Sequence, residues 1–490
     1  MVSSQSSDGI LTGSTLIERN GIEIIPESER TAKPSDLFWP WFAANVSVFG
    51  MSWGAFVLGF GISFWQATIV SIVGIVISFV LCGFIAIAGK RGSAPTMVLS
   101  RAAFGVAGQK VPGIMSWIVS IGWETFLAIL AVLATSTVLT QLGVANESND
   151  TFIKILATVI VAALIVTASV LGYHTIMKLQ AVLTWVTGIV TVIYIFLTVG
   201  HIDFAAVMAV PAGSMTAVIG ALVMVMTGFG LGWINIAADW SRYQRRDAKD
   251  SSIVFWNTIG GSVANVILVT FGLLLAASDP DLSEAIAADP VGALATILPI
   301  WALIPFLLTA ILALVSGAVL GIYSSGLTLL SLGIKIARPK AAAIDGLILT
   351  AGTIYVVFFA ESFLAPFQSF LITLGVPLAA WAGILIADIF SRRAVYDEDA
   401  LFDKKGIYGA WDWISVGTLI GATIVGWGFV INGYAEEAPW NNWQGYLLGL
   451  VGGKDGEWAW ANLGVLFALV IGFVVTLIFR RGTIRRQEQS

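Results

Sequence analysis

A single cysteine, Cys82, and two histidines, His174 and His201, are all that a chain of 490 residues offers to the chemistries built on those side chains. One cysteine excludes an intrachain disulfide and any multi-cysteine metal site. The two histidines sit at the edges of apolar segments and read as solvated or interfacial groups rather than ligands. Charge is scarce too: Asp, Glu, Lys and Arg make up 11% of the residues, against roughly 25% in a soluble domain. No GxxxxGK[ST] phosphate loop is present, which argues against ATP-driven work by this chain alone. A membrane-embedded enzyme would need a cluster of His, Asp, Ser or metal ligands, and none stands out. The expectation is no enzyme activity and no cofactor.

What fills the chain is hydrocarbon. Hydrophobic residues account for 57% and the mean hydropathy is +0.89, which points to an all-α polytopic membrane protein. About twenty apolar residues cross the hydrocarbon, and on that measure there are twelve segments, at 36–61, 66–89, 112–142, 151–172, 179–200, 214–240, 251–277, 298–335, 341–360, 364–390, 411–432 and 460–480. The first follows a polar, aperiodic stretch, 1–34, read as a mobile cytoplasmic tail without a cleavable signal peptide.

An even number of spans with both termini cytoplasmic requires Lys and Arg to gather on one side. Of the 25 basic residues only Lys154 and Lys454 fall on the other. Arg19 and Lys33 precede span one, Lys178 joins spans four and five, Lys335 and Arg338 follow span eight, and 480–490 carries four arginines. The net charge of −5 then says little about partners, because the basic residues serve orientation in a cell membrane. The partners expected are the lipid bilayer and a small solute, with no nucleic acid and no obligate protein partner.

Span six is interrupted by Thr227-Gly228-Phe229-Gly230-Leu231-Gly232-Trp233. Each glycine weakens a helix by roughly 1 kcal/mol, and main-chain groups freed at membrane depth need protein, water or ligand partners. Two readings stay open, a ligand-binding break or close helix packing. Span one has Asn45, Ser47, Gly50 and Ser52 near its middle and admits the same pair of readings. Span three carries Ser120-Ile121-Gly122-Trp123-Glu124, and a carboxylate there costs several kcal/mol unless it is protonated, paired or wetted. Glu124 therefore reads as a proton carrier, a partner for a solute N–H, or a structural carboxyl. Asp239, beside Arg242 at the end of span six, reads as a gate or an interfacial pair. In span eight, Ser316-Gly317 and Gly321 to Thr328 offer oxygens to a hard cation or merely pack. Span ten contributes Gln368.

Taken in order, Trp41-Phe42-Ala43, Ile121-Gly122-Trp123, Ala238-Asp239, Tyr323-Ser324, Ile386-Ala387-Asp388-Ile389-Phe390 and Lys405-Gly406-Ile407-Tyr408-Gly409 resemble the nucleobase–cation symporters, the family of purine, cytosine, allantoin and hydantoin permeases. The resemblance implies two five-helix inverted repeats, 35–200 and 214–390, with helices one and six broken, then a loop and two further helices in 391–480 and a cytoplasmic tail from 481. It implies a symporter for a small flat heterocycle, cytosine or a purine base, with allantoin- or hydantoin-like solutes as the alternative, and a proton or sodium as the coupling ion. The pocket it implies comprises Ser47, Ser120, Trp123, Glu124, Phe229 or Gly230, Trp233, Gly321 and Gln368. The implied cation site comprises Ala43, Val46, Leu312, Val315 and Ser316, with Glu124 and Asp239 in coupling and gating. Two departures stand out. Val315 lacks the family's hydroxyl, and Gly321 stands where the family commonly has an Asn that reads the base edge. An amino-acid transporter of the same fold would use a glycine-rich break without an aromatic sandwich, and a channel would show a continuous polar stripe.

Overall fold

The structure is a computed structural model that describes residues 21–169, 173–334, 336 and 338–489, without the side chains of 168, 169, 173–180, 338 and 339. Arg19 and Lys335, and the side chains of His174, Lys178 and Arg338, lie outside the described residues.

The described residues contain no strand beyond one isolated bridge, between Ala32 and Gln244, and nine helices are long and apolar enough to cross a membrane. Two bent pairs, Pro34–Asn45 with Phe49–Leu58 and Gly464–Phe479 with Arg481–Gln489, raise the number to eleven. Trp413–Gly428 is a shorter apolar helix, and it occupies the place expected for span eleven. The elements therefore follow the twelve expected segments in order, as a 5+5 inverted repeat plus two helices.

Polar caps set the helix ends. Ser63 and Gln66 form a reciprocal capping box at the start of span two, Phe64–Gly92, supplying partners to amides that a helix leaves open. Ser214 caps span six by accepting the Ala217 N–H, and Asp412 caps span eleven by accepting the Ser415 N–H. At the basic end of span two, Lys90 and Arg91 meet Asp250 at 2.6 and 2.5 Å.

Packing brings the interrupted spans to the centre. Span one crosses span seven, Asp250–Ser278, so closely that a Cβ on Gly272 would lie 1.8 Å from the Met51 carbonyl. Span three, Lys110–Gln141, runs along span eight, Ile300–Ser331. The two breaks differ. Span one bends by 70° at Val46 (φ −82°, ψ 79°). Span six is interrupted at Phe229 (φ −107°, ψ −111°), and continues through Gly230–Trp233, a 3-10 turn at Ile234–Ile236, and Ala237–Ser241, yet still runs as one membrane-length rod. Ser78 explains the difference. Its Oγ takes the Gly230 N–H at 3.0 Å, so span two supplies the hydrogen bond lost at the break.

The segment before span one is not a loose tail over its described part. Ile25 is buried and its N–H donates to Ser93 O at 3.0 Å. Arg30 donates to Ile25 O and to Glu398, and Arg242 Nη1 donates to Gly21 O at 3.2 Å. Residues 21–34 are thereby fastened across the basic end of the bundle.

At the opposite end, the connection between spans seven and eight forms a cap. Thr137 Oγ1 of span three donates to Asp289 Oδ2 at 2.6 Å, and Ser52 of span one donates to Pro290 O at 2.7 Å. Burial is the largest cause that raises the Asp289 carboxyl, to about 6 from 3.8. The folded protein therefore holds a proton that the unfolded chain has released, so the stability this group contributes is full below about pH 4 and is lost as the pH rises through 6. The thermal midpoint of the wild type minus that of Asp289→Asn is expected to fall across that window and to be level above it. A level difference at every pH would show that the carboxyl is not buried by the cap.

Candidate functional site

The interruptions in spans one and six open onto a cavity of about 70 Å³ between spans one, three, six, seven and eight. Its aromatic wall is Phe49, Trp53, Trp123, Phe229 and Trp233, and its polar groups are Asn45, Ser47, Ser120, Glu124, Asn235 and Asn265. Cavities that take a benzene-sized ring are roughly 150 Å³. A single ring therefore enters only if the cavity enlarges.

Trp53 and Trp123 share a neighbour, Phe367. Phe229 is 4% exposed and packs on Trp53 with centroids 4.7 Å apart. That contact takes Phe229 out of competition for a solute face. Trp123 meets Phe367 and Phe370 edge-on at 5.5 and 5.8 Å, and Trp233 meets Trp41 edge-on at 6.2 Å. Both indoles line the cavity.

The polar groups are arranged by the helix breaks. Asn45, the last residue of the first half of span one, donates to Trp41 O at 2.8 Å and accepts from Asn265 Nδ2 at 2.7 Å. Asn235, on the turn after the span-six break, donates to Ser116 Oγ at 2.9 Å and to Ser120 Oγ at 3.3 Å. Glu124 is 0% exposed, and neither of its carboxylate oxygens has a hydrogen-bond partner among the described residues. A buried acceptor left unsatisfied is costly, by about 1–3 kcal/mol and more if charged, so this is the group with most to gain from a solute N–H.

Of the residues expected in the pocket, Ser47, Ser120, Trp123, Glu124, Phe229, Trp233 and Gly321 line this cavity. Gly230 does not: its N–H is bound by Ser78, and a Cβ there would lie 2.1 Å from the Ser78 main chain. Gln368 does not either. Its phase on span ten turns it into a separate cavity of about 20 Å³ with Phe60, Met224 and Trp460. None of Ala43, Val46, Leu312, Val315 and Ser316 lines the central cavity. Ala313, Gly317 and Gly321, each four residues apart, form the cavity face of span eight, and Leu312 points away at 39% exposure.

Asp239 is buried and accepts from Thr96 N and Thr96 Oγ1 at 2.7 and 2.8 Å. It ties the end of span six to the connection between spans two and three. Asn235, Asn265 and Trp53 were not singled out from sequence. The signal for the two asparagines was an amide inside an apolar span, the same kind of signal that marked Asn45.

Gly321 is where the chain departs from the resemblance, and the geometry gives a reason. A Cβ there would lie 2.9 Å from both Cγ and Oε1 of Glu124, so the glutamate fills the room that a larger residue would take. Gly321→Asn is expected to weaken solute binding at least tenfold, about 1.4 kcal/mol, and, because it overpacks a buried contact, to lower the thermal midpoint as well. Unchanged binding would show that Glu124 does not face the solute.

A family model described as permease for cytosine/purines, uracil, thiamine, allantoin matches residues 24–479. The chain belongs to this family. The permease is 25% identical over 415 residues to the putative purine-cytosine permease YxlA of Bacillus subtilis (strain 168), across 81% of this chain and 85% of that protein. Among solved structures, it resembles the nucleobase-cation-symport-1 family transporter Mhp1 in a closed conformation with bromovinylhydantoin bound, with a TM-score of 0.68 at 18% identity over 97% of this chain and 96% of that one. A manganese transporter of Eremococcus coleocola is similar at a TM-score of 0.56 and 12% identity, covering 96% of this chain and 98% of that one. At those identities the structures speak for the fold, and the family model for membership.

Proposed function

We propose that this permease is a cation-coupled symporter that imports a small, flat, neutral heterocycle by alternating access, with cytosine or a purine base as solute and the single-ring cytosine the better fit to the cavity. The observation that carries the reading is the cavity at the two helix breaks, which Trp123, Trp233 and the unpartnered Glu124 all line. The ring would lie between the two indoles, with Glu124, Ser120, Asn235 and Ser47 on its hydrogen-bonding edge.

The chain is read as lying in the cell membrane with both termini cytoplasmic, which the one-sided distribution of basic residues supports. The two repeats are taken as 35–200 and 214–390. Asp239 is read as part of the inner closure because it fastens span six to Thr96.

The coupling ion is read as a proton. For sodium, the carbonyls of Ala43 and Val46 are suitable donors, since the N–H groups a continuous helix would give them go instead to Asn45 and Ser47. Span eight falls short of completing the oxygen cage that a hard cation requires, because Val315 carries no hydroxyl. Glu124 needs no such cage.

The test is uptake of radiolabelled cytosine, adenine, hypoxanthine and allantoin into proteoliposomes, with proton and sodium gradients imposed separately. Cytosine accumulation driven by the pH gradient is the expected result. Entry of none of these solutes would overturn the substrate assignment, and accumulation driven only by sodium would overturn the coupling assignment.

A further inference from the structure

Glu124 is not the only carboxyl inside the bundle. Asp345, in span nine, Arg338–Phe359, is also 0% exposed. Its Oδ1 accepts from Trp117 Nε1 of span three at 2.9 Å, and its Oδ2 from Ser325 Oγ of span eight at 2.6 Å. Ser325 lies one helical turn from Gly321, the residue against which Glu124 packs, and is close enough to both carboxyls to interact with each. Its hydroxyl donates to Asp345, with the Ile322 carbonyl as a second acceptor at 3.1 Å, and both Glu124 oxygens stand without a hydrogen bond.

Depth gives the arrangement a direction. Glu124 is fourteen residues from the basic end of span three, about 21 Å, whereas Asp345 is seven residues from the basic end of span nine and Ser325 six from that of span eight, each about 10 Å. The series thus runs from the cavity toward the basic face. Among the described residues its surroundings hold no counter-charge. Span three presents Trp117 and Thr125 and span four presents Val166 at Gly346. Tyr323, on span eight, is turned to Arg242, and Lys110 lies at the basic end beside Gly333. Neither carboxyl is in an ion pair among the described residues. Two carboxylates facing one another in an apolar interior would be costly without a shared proton.

We infer that Glu124, Ser325 and Asp345 form a proton relay that carries the coupling proton from the solute cavity to the basic face through spans three, eight and nine. In the step, the Glu124 O–H bond breaks as its proton passes to Ser325 Oγ, and the Ser325 hydroxyl proton passes to Asp345. One proton has moved, and no oxidant or other reactant is needed. The inference rests on the proton-coupled reading above and adds Asp345 and Ser325 as positioning residues that do not touch the solute.

The test compares wild type, Asp345→Asn, Ser325→Ala and Ser325→Thr in proteoliposomes with radiolabelled cytosine. Asp345→Asn and Ser325→Ala are expected to lose at least tenfold of pH-driven accumulation while cytosine counterflow without a gradient stays within twofold, and Ser325→Thr is expected to restore accumulation. Accumulation and counterflow falling together, or neither falling, overturns the relay even where the wild type is proton-driven. A wild type that takes up no cytosine counts against the transport assignment instead. In that event the infrared carbonyl bands of the purified protein decide the relay: two coupled titration steps that collapse to one in Asp345→Asn support it, and a Glu124 band unaltered by that substitution overturns it.

Discussion

Glu124→Gln is expected to abolish accumulation of the solute against its gradient while leaving a reduced exchange activity. The substitution keeps the length and planarity of the side chain and an edge able to hydrogen-bond, so the cavity and the packing against Gly321 survive. What is lost is the ionisable proton. If that proton links uphill solute movement to the pH gradient, the loss of coupling is complete rather than partial, and the accumulation ratio falls to about one, each tenfold being about 1.4 kcal/mol of forgone driving force. A structural role makes a different prediction, since glutamine bonds to neighbours as well as a neutral carboxyl does. Proton-driven accumulation surviving unchanged in Glu124→Gln would withdraw the coupling role and leave Glu124 as a packing residue.

The largest effect on stability is expected at Asp388. This carboxylate, 0% exposed in span ten, Leu364–Ser391, accepts from Arg392 Nε at 2.6 Å and also from Arg480 Nη1 at the end of span twelve. Arg480 in turn bonds Asp412 at 2.9 Å, and Arg392 bonds Gln487 at 2.7 Å. Two arginines are therefore buried around one shared carboxylate, with Asp412 at the margin. Removing one member of such a cluster leaves charge buried without a partner, at about 3–5 kcal/mol. Asp388→Asn should lower the thermal midpoint in detergent by about 3–5 °C and loosen spans eleven and twelve from the core. Asp403→Asn, on the exposed loop, should change nothing measurable. Equal midpoints for wild type and Asp388→Asn would show that the cluster is wet and weak.

These two sites differ in how much of them a linear reading reveals. Glu124 is conspicuous because a carboxylate in an apolar run contradicts its surroundings. The Asp388 cluster is not, because Arg480 arrives ninety-two residues later and only the fold brings it to span ten. Asp345 carries the same kind of signal as Glu124 but was not singled out from sequence, because it lies near the basic end of span nine and its partners, Trp117 and Ser325, come from two other spans.

The spans themselves were legible, since hydropathy and the one-sidedness of Lys and Arg are properties of the chain, and the breaks were legible from Asn45 to Gly50 and from Gly228 to Gly232. Direction around a helix axis was not. Gln368 and Gly230 were drawn toward the site by position along their spans, and one faces another cavity while the other is bound to Ser78. Likewise nothing in residues 21–34 announces that they are fastened across the basic end, since their partners, Ser93, Gln244 and Glu398, come from three distant connections.

The central claim, that the break in span one and the interruption in span six frame a binding place for a planar solute, is tested most directly by an experimental structure of the permease with cytosine bound. The ring is expected between the Trp123 and Trp233 indoles, with an N–H edge on Glu124 and span one bent at Val46. Cytosine found in the Gln368 cavity, or an unbent span one with no solute between the two indoles, would contradict it.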